Sequence, residues 1–226
     1  MEHRLGLNEV KERLAVVIER SHGINTRPRW PAGQRASRVA EEASEEASVF
    51  DYDPYAALAA LRPVPALALT SPHFSDGGAM PLFAWARKRG GDDRAPALEW
   101  SGAPAETRSF AVSCFDPDAP TGSGYWHWAA FNLPADTTSL AAGDGSVAAL
   151  PSGAVVLRND AGTARFIGSA PPAGTGVHRY MFVVDALDVE TLDISPDAAP
   201  AILGFNRHFH SLARGILTGT ADPAER

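Results

Sequence analysis

Short apolar runs separated by turn-forming residues dominate the chain from about residue 60 onward. Runs of about 4–8 residues bounded by Gly, Pro and Asp are typical of β-strands, whereas helices need longer amphipathic stretches. Packing two antiparallel sheets face to face buries many such strands. The pattern therefore predicts a mainly β fold, a β-sandwich with a few short peripheral helices. We expect strands at 66–70, 81–86, 97–100, 109–115, 126–133, 154–158, 179–187 and 214–219.

Three segments have helical patterns instead. Near the start of the chain, apolar residues recur at helical spacing and predict a helix at 8–21. Asp53 and Pro54 suit the start of a second helix, which ends near Leu61 because prolines follow it. A third helix is predicted from 196 to about 209.

Residues 1–50 differ in composition from the rest of the chain. After the predicted helix comes a stretch rich in Arg, Pro, Ser and Ala that ends in an acidic run at 41–46. That composition is typical of a linker or an exposed helix. We therefore predict an N-terminal extension over 1–50, either a solvated tail or a partner-binding arm, and one globular domain over 51–226.

Composition and charge narrow the classes of function. With 45% hydrophobic and 21% charged residues, the chain resembles an ordinary soluble globular protein. No stretch approaches the roughly 20 apolar residues of a membrane-spanning helix, and the first residues do not form a signal peptide. We therefore expect a cytoplasmic protein. The net charge of −7 repels a nucleic-acid backbone, although a local cationic pocket can still bind one phosphate.

The single cysteine, Cys114, lies within an apolar run. One cysteine cannot form an internal disulfide, and apolar neighbours indicate a buried packing residue. The alternative is a nucleophile, but no flanking base or cation is present to activate the thiol.

A proline-rich turn follows the strand predicted at 109–115. Two prolines make the turn Asp116-Pro-Asp-Ala-Pro rigid, and the chain then re-enters a strand. The two-residue period of that strand places Trp126 and Trp128 on one face and His127 on the other. Such a geometry can bring Asp116 and His127 to one cavity; alternatively, the aspartate only caps the turn and the histidine lies at the surface.

A second stiff loop comes before the strand predicted at 179–187. Pro171 and Pro172 stiffen this loop, and its glycines allow backbone N–H groups to line a concavity that binds anions. His178 then opens the strand, and Tyr180 follows on the same face. Taken alone, this segment is only a loop followed by a strand with a polar start.

Together the two segments, Asp-Pro-Asp-Ala-Pro with a following Trp-His, and Pro-Pro-x-Gly-x-Gly-x-His-Arg-Tyr, resemble the signature regions of the phosphatidylethanolamine-binding protein family. That family includes the Raf kinase inhibitor proteins and a bacterial and archaeal branch, which the chain resembles most. The resemblance covers about 62–222 and implies a family-type β-sandwich with an open pocket at its surface.

The resemblance also implies what the pocket binds. Relatives bind phosphate-type groups, including phospholipid headgroups, and other small anions such as carboxylates, without a cofactor or metal. A homodimer is expected by analogy. The residues that would line or support the pocket are Asp116, His127, His178, Tyr180, Asp118, Gly168, Ser169, Pro171 and Pro172.

The chemistry of these residues suits that role. Imidazole donates hydrogen bonds to phosphate. Because the ordinary pKa of a histidine is about 6.5, a bound anion increases the fraction of protonated imidazole near neutral pH. Asp116 would accept from an imidazole N–H and hold that ring in one tautomer. One departure from the bacterial branch is the basic stretch at 85–91, which changes the charge near one edge of the domain and could place it near the pocket, where it would affect the identity of the ligand.

Three alternative functions stay open. Two histidines and a carboxylate are also a recognised metal-ligand set. A hydrolase would need Ser113, Ser123 or Ser169 beside a histidine, but no nucleophile-elbow sequence surrounds any of them. An inhibitor or regulator of a kinase or protease would act through protein contacts, for which only residues 1–50 offer a candidate segment. We predict a non-enzymatic, metal-free binding protein.

Overall fold

The structure, a computed structural model, describes residues 52–225. The helix predicted at 8–21 and the following linker lie outside the described residues, so the division at residue 50 stays a prediction. The elements are α1 (Pro54–Leu61), β1 (Ala68–Thr70), β2 (Leu98–Ser101), β3 (Ser109–Asp116), β4 (Tyr125–Pro134), β5 (Ser139–Leu140), β6 (Val155–Val156), β7 (His178–Leu187), α2 (Pro200–His210) and β8 (Ser211–Ala221). Short 3₁₀ helices lie at Leu82–Ala84, Arg87–Arg89, Val147–Ala149 and Pro223–Glu225.

Two antiparallel sheets form the domain, which confirms the predicted mainly β fold. The larger sheet has the strand order β6-β4-β3-β7-β8, and the smaller one has the order β1-β2-β5. Because β3 lies in the middle of the larger sheet, every one of its residues is buried. This explains why its sequence is a continuous apolar run rather than an alternating one. No helix within 52–225 is long and apolar enough to cross a membrane.

The larger sheet has an apolar core on each face. On one face, residues such as Phe110, Trp128 and Phe182 pack against side chains from the smaller sheet. On the other face, Phe131 and Leu203 belong to a second cluster that α2 covers. Both faces of the sheet are therefore buried, and its ends are where pockets can form.

The prediction of a strand at 81–86 is wrong. This stretch forms 3₁₀ turns, and Trp85 makes only one isolated β-bridge, to Ser169. The sequence is apolar because Ala84, Trp85 and Ala86 are all buried, not because one side of a strand faces the core. The pattern did not predict β5 either, since a strand of two residues has no period.

A buried ionic cluster holds the helices to the larger sheet. Arg207 of α2 lies 3.2 Å from Asp185 of β7 and donates to the Ser113 hydroxyl at 2.9 Å. It also donates to the Tyr55 hydroxyl of α1 at 2.8 Å. Arg214 of β8 binds Asp185 at 2.7 Å. Since the two arginines share one aspartate, removal of the aspartate would leave buried charge unpaired.

Candidate functional site

A pocket of about 250 Å³ lies where one end of β3 meets the starts of β4 and β7. Asp116 ends β3, His178 starts β7, and His127 lies near the start of β4. Because β3 runs antiparallel to both neighbours, its last residues pair with the first residues of β4, as in the pair Asp116 and Tyr125. The structure thus brings the two predicted histidines and the aspartate to one pocket.

His127 occupies a β-bulge. Cys114 pairs with Trp128 and Phe115 pairs with Trp126, so His127 is an extra residue in β4. The bulge breaks the two-residue period, and the prediction that both tryptophans share a face is therefore wrong. Trp126 packs on Phe115, with ring centroids 4.5 Å apart, whereas Trp128 lies in the core between the sheets.

Asp116 connects the buried polar side chains of the pocket. Its Oδ2 lies 2.8 Å from Nδ1 of His178, and its Oδ1 accepts from the backbone N–H of Asp118 at 2.9 Å. Burial, followed by the charge of Asp116, raises the pKa of Tyr180 well above its usual range. The phenol therefore keeps its proton beside the Asp116 carboxylate. The aspartate is thus bound by the protein itself and is only 2% exposed.

Both ring nitrogens of His178 have partners within the protein. Nδ1 is bound to Asp116, and Nε2 lies 2.7 Å from the Thr175 hydroxyl. We expected both histidines to donate to an anion. In this arrangement His178 anchors the loop that precedes β7, and it presents no unpaired N–H to the pocket.

His127 is differently placed. Its Nδ1 lies 2.8 Å from the carbonyl oxygen of Ile167, so Nδ1 carries the proton and Nε2 is left for the pocket. The ring contacts Tyr125 and Tyr180, with centroids 4.9 and 5.0 Å away. Burial lowers the pKa of His127 below 6.5, although the Ile167 carbonyl and the Asp116 carboxylate partly offset this effect. The imidazole is therefore mostly neutral at pH 7.

The loop before β7 is attached to the chain at 84–93. Ser169 is buried; it donates its N–H to the Ala84 carbonyl at 3.0 Å and accepts from the Ala86 N–H at 2.9 Å. Gly168 approaches this segment so closely that a Cβ would overlap the backbone of Trp85 and Ala86. Ser169 thus supports the pocket from behind, while Gly168, Pro171 and Pro172 line it.

Asp118 also supports the pocket without lining it. Its carboxylate accepts from the Arg179 side chain at 2.7 and 2.8 Å and from the Arg179 backbone N–H at 2.9 Å. These bonds join the turn after β3 to the first residues of β7. They hold Asp116 in place beside His178.

Sequence reasoning missed several residues of the site. Lys88, Tyr125 and Ile167 line the pocket, and Thr175 binds His178. The basic stretch at 85–91 was a signal for Lys88, but nothing local showed that it meets the pocket. The position of Thr175, three residues before His178, was a weaker signal.

The alternative chemistries have the following geometry. Within 52–225, no group of three or more His, Cys, Asp or Glu is arranged to hold a metal ion. Ser113 binds Arg207, Ser169 lies against the Ala84 carbonyl, and Ser123 is exposed. Cys114 is fully buried, and burial followed by the charge of Asp116 raises its pKa well above 9.0. The absence of metal and of catalysis stays a prediction.

Comparison with known proteins identifies relatives of the chain. UPF0098 protein YbhB of Escherichia coli is 52% identical over 129 residues, which cover 57% of this chain and 81% of that protein. UPF0098 protein YbcL of the same organism is 44% identical over 130 residues, covering 57% and 71% of the two chains.

Solved structures agree with this relationship. The crystal structure of E. coli YbcL, described as a member of the mammalian PEBP family, matches with a TM-score of 0.66 and 37% identity over 69% of this chain and 98% of that one. A phosphatidylethanolamine-binding protein homologue from Chlamydia trachomatis, CT736, matches with a TM-score of 0.59 and 29% identity, covering 70% and 97%. The family model for phosphatidylethanolamine-binding protein matches residues 70–222. The chain therefore belongs to the phosphatidylethanolamine-binding protein family.

Proposed function

We propose that the pocket binds a small phosphate-type or carboxylate anion, including the phosphate of a phospholipid headgroup, and does not transform it. The observation that carries this proposal is the environment of His127. The Ile167 carbonyl occupies Nδ1 at 2.8 Å, which leaves Nε2 as the ring nitrogen for a ligand in the pocket. The family's name supports the same class of ligand.

Proton uptake by His127 provides the binding chemistry. Burial keeps the empty-pocket pKa of His127 low, and a negative charge close to Nε2 raises it. The imidazole then becomes a cation that donates to the anion, and a charge-assisted bond of this kind is about twice as strong as a neutral one. Lys88 adds a second positive charge to the lining.

The size of the pocket limits what enters it. Its volume of about 250 Å³ is below the roughly 300–1,000 Å³ of drug-sized binding sites. A phosphate with a small substituent fits, whereas the acyl chains of a lipid would stay outside. The buried Asp116 carboxylate, although bound by the protein, still repels an anion, so we expect weak binding for bare phosphate.

The absence of catalysis is part of the proposal. Ser169 and Ser113 are directed to other partners, and the Thr175 hydroxyl is bound between His178 and the Pro172 carbonyl at 2.7 Å each. Thr175 does lie beside an imidazole that a carboxylate orients, the arrangement in which a base activates a hydroxyl. However, Thr175 is not among the residues that line the pocket, so we propose that its hydroxyl supports the loop and does not attack a ligand. The cytoplasmic location and the homodimer stay predictions.

A phosphate titration followed at the histidine ring protons tests the function. We expect the His127 signals to move and saturate at millimolar phosphate, and His127→Gln to abolish the response of the remaining pocket histidine. His208→Gln, on the far helix α2, is the matched control and should bind like the wild type. If neither His127 nor His178 responds at millimolar phosphate in the folded wild-type protein, the proposed function is wrong.

A further inference from the structure

We propose that Lys88 makes the pocket selective for phosphomonoesters that carry only negative charge, and that it disfavours zwitterionic headgroups such as phosphoethanolamine. This inference rests on the proposed function and specifies its ligand class. It comes from three features: the supported backbone of the segment that carries Lys88, the different roles of its two arginine neighbours, and a pocket whose one carboxylate is already bound by the protein.

The backbone that carries Lys88 is held against the pocket loop. The Arg89 guanidinium donates to the Pro171 carbonyl at 2.9 Å, and the Ala86 N–H donates to the Ser169 carbonyl at 2.9 Å. The Asp93 carboxylate accepts from the Gly168 N–H at 2.9 Å, which attaches the far end of the segment to the same loop. Lys88 is therefore presented from a supported backbone rather than from a loose surface loop.

The three basic side chains of the 3₁₀ turn have different uses. Arg87 lies 3.8 Å from Asp93, and Arg89 binds the Pro171 carbonyl. Only Lys88 of the three lines the pocket, and no ion pair to it is found within residues 52–225. Lys88 thus adds a positive charge to the pocket lining that no carboxylate within residues 52–225 pairs with.

The pocket offers an ammonium group less negative charge than positive charge. Among the described residues that line it, Asp116 is the only carboxylate, and it is already bound to the Asp118 N–H and to His178. Its charge attracts an ammonium, but Lys88 and protonated His127 oppose it with two positive charges. An aromatic ring could attract a cation. However, the Tyr125 ring contacts His127 at 4.9 Å, and that histidine is positively charged when an anion is bound.

Electrostatics then decides between the two ligand classes. In ethanolamine phosphate the ammonium is separated from the phosphate oxygen by only two carbons, so it must lie near Lys88 and protonated His127. Repulsion between two like charges about 6 Å apart in a partly screened site lowers the affinity for the ligand that carries the ammonium by roughly tenfold. A phosphomonoester without the ammonium avoids this repulsion and keeps the attraction of Lys88.

Ethyl phosphate and phosphoethanolamine are a matched pair of probes, because they differ only by the ammonium. Dissociation constants would be measured by calorimetry and by His127 ring shifts near pH 7.5, where both phosphates are mostly dianionic. We expect wild-type protein to prefer ethyl phosphate by about tenfold. Lys88→Ala should weaken ethyl phosphate binding about tenfold and remove most of the preference, and Lys88→Glu should reverse it.

The control removes the same charge elsewhere. Arg108 is exposed and precedes β3 at the end opposite Asp116, so Arg108→Ala should leave both affinities unchanged. Lys88 is exposed as well, so its substitution is not expected to unfold the domain.

The outcomes separate this inference from the proposed function. If neither probe perturbs His127 in the wild-type protein, the proposed function itself fails. If ethyl phosphate binds but phosphoethanolamine binds equally well, or if Lys88→Ala keeps the preference, only the inference about Lys88 is overturned.

A vesicle experiment distinguishes the two sources of such a ligand. Protein that sediments with phosphatidylcholine vesicles containing phosphatidic acid, but not with phosphatidylcholine alone, supports a lipid-borne phosphomonoester. Binding of ethyl phosphate without sedimentation supports a soluble one.

Discussion

The Asp116 carboxylate lies 2.8 Å from Nδ1 of His178, and both side chains are buried. This pair joins the end of β3 to the start of β7. The Thr175 hydroxyl, on the other side of the imidazole, lies 2.7 Å from both His178 Nε2 and the Pro172 carbonyl. The pair and this hydroxyl therefore hold the end of β3 against the loop that lines the pocket.

Replacement of Asp116 by asparagine should change stability and affinity in opposite directions. An amide has one acceptor oxygen where the carboxylate uses two, so either the Asp118 N–H or His178 loses its partner. We expect Asp116→Asn to lower the free energy of unfolding by about 1.5–3 kcal/mol. We also expect sulfate to bind severalfold more tightly, because the repelling charge is gone. Urea denaturation and sulfate titration measure the two effects; unchanged stability would contradict the role given to this pair.

The affinity for sulfate should rise as the pH falls through the window between the pKa of His127 with sulfate bound and its lowered pKa in the empty pocket. Burial lowers the pKa of His127 in the empty pocket, and a bound anion raises it, so binding takes up a proton. As the pH decreases, the affinity therefore increases between the pKa of His127 in the complex and the lower pKa of His127 in the empty pocket. Below the lower value it is constant. Sulfate suits the measurement because its own charge is constant in this range.

Two variants show whether His127 causes that pH dependence. His127→Gln should give an affinity that hardly changes with pH, whereas Lys88→Gln should bind more weakly but keep the slope. A wild-type affinity that is constant from about pH 5 to 8 would exclude His127 as the proton acceptor.

The same lowered pKa predicts a pH effect on the stability of the free protein. The unfolded chain binds a proton at an ordinary histidine pKa of 6.5, but the folded chain does not until the pH is lower. Stability from this residue is therefore present above 6.5 and falls as the pH drops through the window below it. Saturating sulfate should reduce the loss. Thermal unfolding from pH 7.5 to 5, with His127→Gln as the reference, measures this contribution, and equal pH profiles would refute it.

Gly168→Ala should destabilise the domain, because a Cβ there would overlap the backbone of Trp85 and Ala86. Overpacking typically costs about 1–3 kcal/mol, and the upper part of this range is expected where backbone must move. Gly143→Ala is the matched control, since its Cβ would meet its nearest atoms at an ordinary 3.9 Å. Chemical denaturation compares the two variants. Equal stabilities would show that the loop can separate from the 84–93 segment at little cost.

The Cys114 thiol should resist alkylation in the folded protein. Burial raises its pKa, as does the charge of Asp116 to a smaller extent, and the side chain is inaccessible. Iodoacetamide should therefore label the protein only after denaturant is added, which mass spectrometry detects. Rapid labelling of native protein would favour the alternative in which Cys114 is a nucleophile.

The sequence by itself determined the features that depend on neighbours along the chain. The apolar run 109–115 forms β3, which is buried on both faces. Its local sequence alone predicts a strand, without information on its neighbours in the sheet. Asp53 caps α1 by accepting from Tyr55 N–H at 2.8 Å and Ala56 N–H at 3.1 Å, as its position before Pro54 indicates. The family resemblance of the two loop-to-strand motifs predicted that Asp116, His127 and His178 meet, which the spacing of these residues alone left open.

Only the tertiary structure decided how those residues share their contacts. The bulge at His127 depends on the register between β3 and β4, and the choice of His178 as the partner of Asp116 joins residues 62 positions apart. Lys88 reaches the pocket because its segment is hydrogen-bonded to a loop more than 80 positions later. Local periodicity contains no information about such pairings, since the free energy that fixes them comes from packing and hydrogen bonds between distant segments.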